Sequence, residues 1–317
     1  MNKQVFACMY HYVRDLRNSR YPEIKGLTVD LFREHIEYLL KNGFKFINTT
    51  ELKAAFNGNS AALEGEKNVI MTFDDAYIDH YTNVFPILNE YGIEGTFFVP
   101  VKAITEHEVL DVNKIHFILA VSEDKNELIQ EIYKLLDKYR QEYGLETNEY
   151  YFNKLAIANR FDPGEVIFIK RLLQVELPLQ LRKMLTDELF YKYVSKDESV
   201  FSRELYMNID QIKCMQRNGM NIGAHGNDHF WLDSLTDEQQ EYEINKSLEF
   251  LNQIGIDTVN DGWTIGYPYG SYDERLLKLL RTKNCSLGYT TQVGVIDINN
   301  TDALTLSRFD ANDVMKL

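Results

Sequence analysis

From Val5 to Val99, short apolar runs alternate with segments of helical period. This pattern restricts the chain to βα units around a parallel sheet or barrel. Val5 to Met9 reads as a buried strand. Leu31, Phe32, Ile36, Leu39 and Leu40 mark one helix face, stopped by Gly43 where a left-handed cap belongs. Phe44 to Ile47 and Val69 to Phe73 are strands, Val84 to Tyr91 a helix, and Gly95 to Val99 a strand again. The run Val69 to Phe73 ends in two adjacent carboxylates, Asp74 and Asp75. Two acids at a buried strand tip are unfavourable unless something positive sits beside them.

The pattern changes between about residues 105 and 205. Long amphipathic stretches such as Leu128 to Tyr143 and Phe168 to Tyr193 dominate, and strand signals are scarce. Alternation then resumes, so the expectation is one barrel over 1–317 interrupted by a mostly helical insertion. A helix over Ile209 to Asn218 precedes the strand Met220 to Ala224, which delivers His225. Thr236 with Gln239 forms a capping box for the next helix. Trp263 to Tyr267 is a strand ending in Pro268-Tyr269-Gly270, and Ser271 with Glu274 is expected to cap another helix. Leu287 to Thr290 and Leu304 to Ser307 complete the strands.

At 317 residues, the chain exceeds what one ordinary core needs, which agrees with a large domain carrying an insertion. Its net charge of −14 argues against nucleic acid or an anionic membrane as partner, because no excess of Lys and Arg meets the phosphates. Cys8, Cys214 and Cys285 are few, odd in number and far apart, which suits a reducing compartment. The start, Met1-Asn2-Lys3-Gln4 followed by Val5 to Tyr10, lacks the form of a signal peptide, and no segment is long enough to cross a bilayer. The expectation is a cytoplasmic protein with no membrane span.

In a βα barrel the strand C-termini converge on one face, where active sites sit. Asp74 and Asp75 follow one such end, His225 and His229 another, and Tyr269 a third. One carboxylate and two imidazoles suit a divalent metal, zinc first, with nickel, cobalt or manganese as alternatives. Three protein ligands leave a position open for water or substrate. Such an ion lowers the pKa of a water toward ~7 and polarises a carbonyl. Side chains of adjacent strand residues point opposite ways, so Asp74 and Asp75 are expected to do different jobs. Each feature alone has a bland reading, namely a solvated turn, a surface histidine pair or a simple turn. The site reading comes from their joint placement at three strand ends.

These motifs closely resemble those of the polysaccharide deacetylase family, the NodB-homology group of carbohydrate esterases. Thr72-Phe73-Asp74-Asp75 is similar to its first motif, with the continuation Val84-Phe85-Pro86-Ile87-Leu88 to Gly95-Thr96-Phe97-Phe98-Val99. Ala224-His225-Gly226-Asn227-Asp228-His229 resembles the second motif and Tyr267-Pro268-Tyr269-Gly270 the third. The resemblance implies a distorted (β/α)7 TIM-like barrel and metal-dependent removal of acetyl groups from sugars. It implies Asp74 as catalytic base, and Asp75, His225 and His229 as metal ligands. Tyr269 would give a backbone N–H to the oxyanion.

Two positions depart from the family pattern. Most members carry an arginine where Gly266 stands; Ile265-Gly266-Tyr267-Pro268-Tyr269 instead resembles the exopolysaccharide-deacetylase branch. The final motif ordinarily supplies a histidine as general acid, and here Leu306-Ser307-Arg308 takes its place. Arginine cannot give up a proton near neutrality, and general acid–base help is worth ~10²–10⁴-fold. His11, in Met9-Tyr10-His11-Tyr12-Val13, reads either as the substitute acid or as a satisfied structural histidine. Arg308 reads either as a brace for Asp74 or as a contact for an anionic part of the substrate. Trp231 reads as a stacking platform for a sugar ring or as core. His35 is expected in packing, His80 on an exposed helix face, and His107 and His116 on the surface of the insertion.

The leading expectation is therefore a metal-dependent deacetylase acting on an N-acetylated amino sugar, in particular a nucleotide- or lipid-linked precursor of a surface glycan. The helical insertion would form a lid or wall over the groove, or pack between subunits. The alternatives are another amide hydrolase, acting on a formamido sugar or cyclic amide, and a catalytically silent sugar-binding relative.

Overall fold

The computed structural model describes residues 3–160 and 162–317; Met1 and Asn2, which open the N-terminal run, lie outside them. The chain divides into two compact units. The first comprises residues 1–15, 25–107 and 202–317, and the second residues 16–24 and 108–201. The short piece Leu16 to Ile24, which carries no helical signal, belongs with the helical unit.

The first unit is a distorted (β/α)7 barrel. Its strands are β1 (Gln4–Tyr10), β2 (Lys45–Phe46), β3 (Lys67–Phe73), β4 (Gly95–Val99), β5 (Asn221–Ala224), β6 (Trp263–Gly266), β7 (Cys285–Tyr289) and β8 (Phe309–Asp310). They run in the order β7-β6-β5-β4-β3-β1-β8, every pairing between them parallel, and β2 pairs with the first half of β3. Parallel neighbours send all their C-termini the same way, so the residues that follow β3, β5 and β6 emerge on one face. The expected strand over Leu304 to Ser307 is not a full strand. Only Leu306 bridges to Tyr289, and the chain then moves across to pair as β8 with Cys8 and Met9. This segment stitches β7 to β1 and closes the sheet.

The barrel interior follows from the alternation of each strand. Val5 and Ala7 of β1, Ile70 of β3, Phe98 of β4, and Leu287 and Tyr289 of β7 form one buried cluster with Leu306. Phe98 sets the size of its neighbours. A Cβ at Gly223 or Gly266 would lie 2.7 Å from the Phe98 ring, so β5 and β6 carry glycine where they face it. That is the physical reason Gly266 cannot become a larger residue here. Helix starts largely obey local chemistry. The Thr236 capping box forms as expected. The next cap does not: Asp273, not Ser271, accepts from the Leu276 N–H and caps the helix Glu274–Thr282. Ser271 instead donates its hydroxyl to Asp233 at 2.6 Å, a partner distant in sequence.

The second unit is helical, with long helices at Asp111–Val121, Lys125–Tyr143 and Leu179–Tyr193. Lys114 is fully buried and is held by Asp187 and, at 2.7 Å, by Glu198. No helix among the described residues is long and apolar enough to cross a membrane.

The closing seam is testable. A Cβ at Gly288 would meet Leu304 O and Tyr267 Oη, both at 2.5 Å, and these two atoms are themselves hydrogen-bonded at 2.7 Å. Overpacking of this kind costs about 1–3 kcal/mol. Gly288→Ala is expected to lower the stability from urea unfolding by that amount.

Candidate metal centre and active site

The site is built where β3, β5 and β6 end. Asp74 still lies on the ladder, its N–H bonding to Tyr10 O at 2.9 Å. At Asp75 the backbone turns left-handed, with φ 76°, and Ala76 follows at φ 54°. The two carboxylates therefore diverge because the chain leaves the strand between them, not because of strand alternation. Asp74 and Asp75 are both only 2% exposed, so each needs a charge partner.

Asp74 finds it in Arg308, which is fully buried just before β8. The guanidinium is bidentate: Nη1 donates to Oδ1 at 2.7 Å and Nη2 to Oδ2 at 2.8 Å. Its Nε donates to Thr290 O at 2.7 Å and Nη1 also to Thr72 Oγ1 at 3.2 Å. With its nitrogens committed to Asp74, Thr72 and Thr290 and no surface exposed, this side chain faces Asp74 rather than open space. Burial would raise the Asp74 carboxyl, but Arg308 and then His225 outweigh it and hold it below its ordinary value.

Asp75 faces the histidines. Its Oδ1 lies 3.4 Å from His225 Nε2 and 3.2 Å from His229 Nε2. Its Oδ2 accepts from Tyr77 Oη at 2.5 Å. His225 donates Nδ1–H to Gly266 O at 2.6 Å, which leaves Nε2 as the lone-pair nitrogen. Asp75 Oδ1, fully buried, has no hydrogen-bond partner among the described residues. Three donors at bonding distance from a tetrahedral zinc lie about 3.3 Å apart, which is close to the two spacings seen here. Asp75, His225 and His229 are the trio among the described residues whose chemistry and spacing fit one metal ion. Burial disfavours the charged form of both imidazoles. The Asp75 and Asp74 carboxylates overcome it at His225, whose pKa is raised, but not at His229, whose pKa is lowered.

Tyr269 sits in the turn after β6 with φ 59°. Its ring stacks on Trp231 at 4.7 Å and meets His229 edge-on at 4.8 Å. Trp231 is half-buried and backs the Tyr269 ring. His11 reaches the same face. Its Nε2 lies 3.9 Å from Asp74 Oδ2 and its side chain is 40% exposed.

His80 overturns the expectation of an exposed face. It is fully buried against Phe73, Phe97 and Tyr77, and its Nε2–H donates to the His11 carbonyl at 2.8 Å. Burial lowers its pKa to about 4, so it is a neutral brace for His11. The helical turn here is widened into a π-type turn over His80–Val84, which a period count alone does not reveal. His35 is buried, with Nδ1 3.2 Å from Tyr10 Oη, as expected of a packing residue. His107 and His116 are half-buried. Tyr77 is not among the site residues the sequence motifs point to, although its place two residues beyond the candidate ligand Asp75 is a usable signal.

A family model described as polysaccharide deacetylase matches residues 62–135 and 197–290. Those stretches include the Asp pair, the histidine pair and Tyr269, and exclude His11 and Arg308. A Bacillus subtilis protein provisionally named polysaccharide deacetylase YxkH is 21% identical over 286 residues, 90% of this chain and 64% of that one. The poly-beta-1,6-N-acetyl-D-glucosamine N-deacetylase of Escherichia coli K12 is 31% identical over 86 residues, 27% of this chain. The chain thus spans less than two thirds of the first relative, and the second match covers 12% of its protein. Among solved structures, the Streptococcus pyogenes deacetylase PplD in complex with acetate superposes with a TM-score of 0.58 at 19% identity, covering 98% of this chain and 93% of that one.

Outer partners that orient a metal ligand are typically worth 10–100-fold in metal affinity. Tyr77→Phe removes the hydroxyl that fixes Asp75 and leaves the ring stack on Tyr12 in place. It is expected to weaken zinc binding by about 10–100-fold, measured by competition with a chromogenic chelator.

Proposed function

Because this chain belongs to the polysaccharide deacetylase family, we propose that it removes the N-acetyl group from an amino sugar with a divalent metal, zinc first, held by Asp75, His225 and His229. One observation carries the reading: the buried Asp75–His225–His229 trio converges beside a second buried acid whose charge Arg308 fixes. The name of the Escherichia coli relative points the same way, toward an N-acetylglucosamine unit as the substrate class. The reacting unit is set within a surface glycan or its nucleotide- or lipid-linked precursor.

The ion supplies acidification of the attacking water and polarisation of the acetyl carbonyl. The protein's own residues do the rest. Asp74, ionised and aligned by Arg308, takes the proton of the water as its oxygen adds to the acetyl carbon. Each carboxylate oxygen keeps a lone pair beyond the one given to the guanidinium, so accepting this proton is compatible with the ion pair. The backbone N–H of Tyr269 serves the developing oxyanion. The C–N bond then breaks, the nitrogen takes a proton from His11, and acetate leaves. His80, by holding the His11 carbonyl, fixes the position of that donor. The stacked Trp231 and Tyr269 rings offer an apolar wall for the sugar.

The test is acetate release from nucleotide-linked, lipid-linked and oligomeric N-acetyl amino sugars. Asp74→Asn is expected to lower the rate about 10²–10⁴-fold with metal content unchanged. Turnover that survives both this substitution and full metal removal would overturn the mechanism.

The pH profile gives a second check. Asp74 acts as the base only when ionised, and Arg308 holds its carboxyl below the ordinary value. Removing the positive partner raises that pKa, so the base is lost at a higher pH. Arg308→Met is expected to shift the acid limb of kcat/KM upward in pH; an unmoved limb would exclude Asp74 as the group that sets it.

A further inference from the structure

Glu243 carries a carboxyl group that the mechanism does not use, and it is only 2% exposed. It lies on the helix Asp237–Gln253. Its Oε2 accepts two backbone N–H groups, from Asn227 at 2.6 Å and from Asp228 at 3.0 Å. Both belong to the short loop between His225 and His229.

The same loop is gripped from its other edge. Gly226 O and Asn227 O accept from the N–H groups of Val101 and Lys102, each at 3.1 Å. Lys102 Nζ also meets Asp228 Oδ1 at 2.9 Å. The loop's carbonyls are therefore held by the segment after β4 and its amides by Glu243. Two local features need that grip. Gly226 has φ 71°, and a Cβ there would stand 3.0 Å from Glu243 Oε2, so a residue without a side chain lets the carboxylate approach. His229 has φ 58°, a left-handed conformation that a histidine keeps only when its surroundings over-determine it.

Burying a carboxyl group is costly, and burial, then the neighbouring Asp228, push this one above its ordinary value. Two amide donors on one oxygen offset part of that cost, and what they fix is the path of the chain from one imidazole to the other. We propose that Glu243 is a positioning residue for the metal centre: its Oε2 pins the backbone of the loop Gly226–Asp228 so that His225 and His229 converge on Asp75. The inference rests on the metal reading of that trio.

The full-length protein is stripped of metal and titrated with zinc(II) against a chromogenic chelator, and separately loaded with cobalt(II) for its visible spectrum. Glu243→Ala is expected to lose about 10–100-fold in zinc affinity and to alter the cobalt bands. Glu243→Gln keeps an acceptor oxygen at the same reach and is expected to restore both. Thermal unfolding of the metal-free proteins is followed in parallel, so that a general loss of stability is separated from a loss of affinity. Should Glu243→Ala fail to fold, Glu243→Asp, which withdraws the acceptor by one methylene, takes its place with the same expected loss. Wild-type affinity in the Ala or Asp variant would overturn the inference, as would a Gln variant as weak as the Ala variant. Wild-type protein that binds neither zinc nor cobalt would overturn the metal reading itself.

Discussion

The buried pairing of Asp74 with Arg308 is the interaction on which the rest of the site depends. It joins the tip of β3 to the segment that closes the barrel, and through Thr290 and Thr72 it ties in the end of β7 and the body of β3. Taking both charges out of water is expensive, and such a pair adds little net stability. What it secures is a specific arrangement. Loss of one partner would strand the other charge in a dry interior, at a cost of roughly 3–5 kcal/mol. Asp74, the proposed base, is therefore oriented by the element that closes the fold, and closure and the geometry of the candidate site are one constraint.

A second constraint is stored in the backbone. Asp75, Ala76, His229 and Tyr269 all have positive φ, and three of them carry the candidate metal and oxyanion chemistry. Each such conformation costs of order 1–3 kcal/mol for a residue with a side chain. Their surroundings hold them: Tyr77 on Asp75, the doubly gripped loop before His229, and the turn hydrogen bonds Gly270 N to Tyr267 O and Ser271 N to Pro268 O around Tyr269. The chain leaves regular strand geometry at the points where side chains must swing into a common centre.

The local elements were largely legible. Gly95 to Val99 is the strand its apolar run predicts, and the Thr236 box caps its helix because both capping groups lie within one turn. Local rules give way where a distant partner competes with a near one. Ser271 is drawn to Asp233, leaving the cap to Asp273. His80 turns inward because Phe73, Phe97 and Tyr77 form an apolar box around it and the His11 carbonyl needs a donor. Glu243 shares a helix face with the buried Gln240 and Ser247, a polar stripe at helical spacing that is legible in the sequence.

The sequence by itself determined the barrel and the residues at its strand ends. Strand alternation and helix capping are short-range effects, and parallel strands must send their C-termini to one face. Only the tertiary structure decided how those residues are set against one another. The separation of Asp74 from Asp75 follows from a left-handed turn at Asp75, and the alignment of Asp74 from an arginine 234 positions away. The exclusion of a side chain at Gly266 follows from the Phe98 ring. Each is a question of which atoms meet across the barrel, and the order of residues along the chain does not contain that distance.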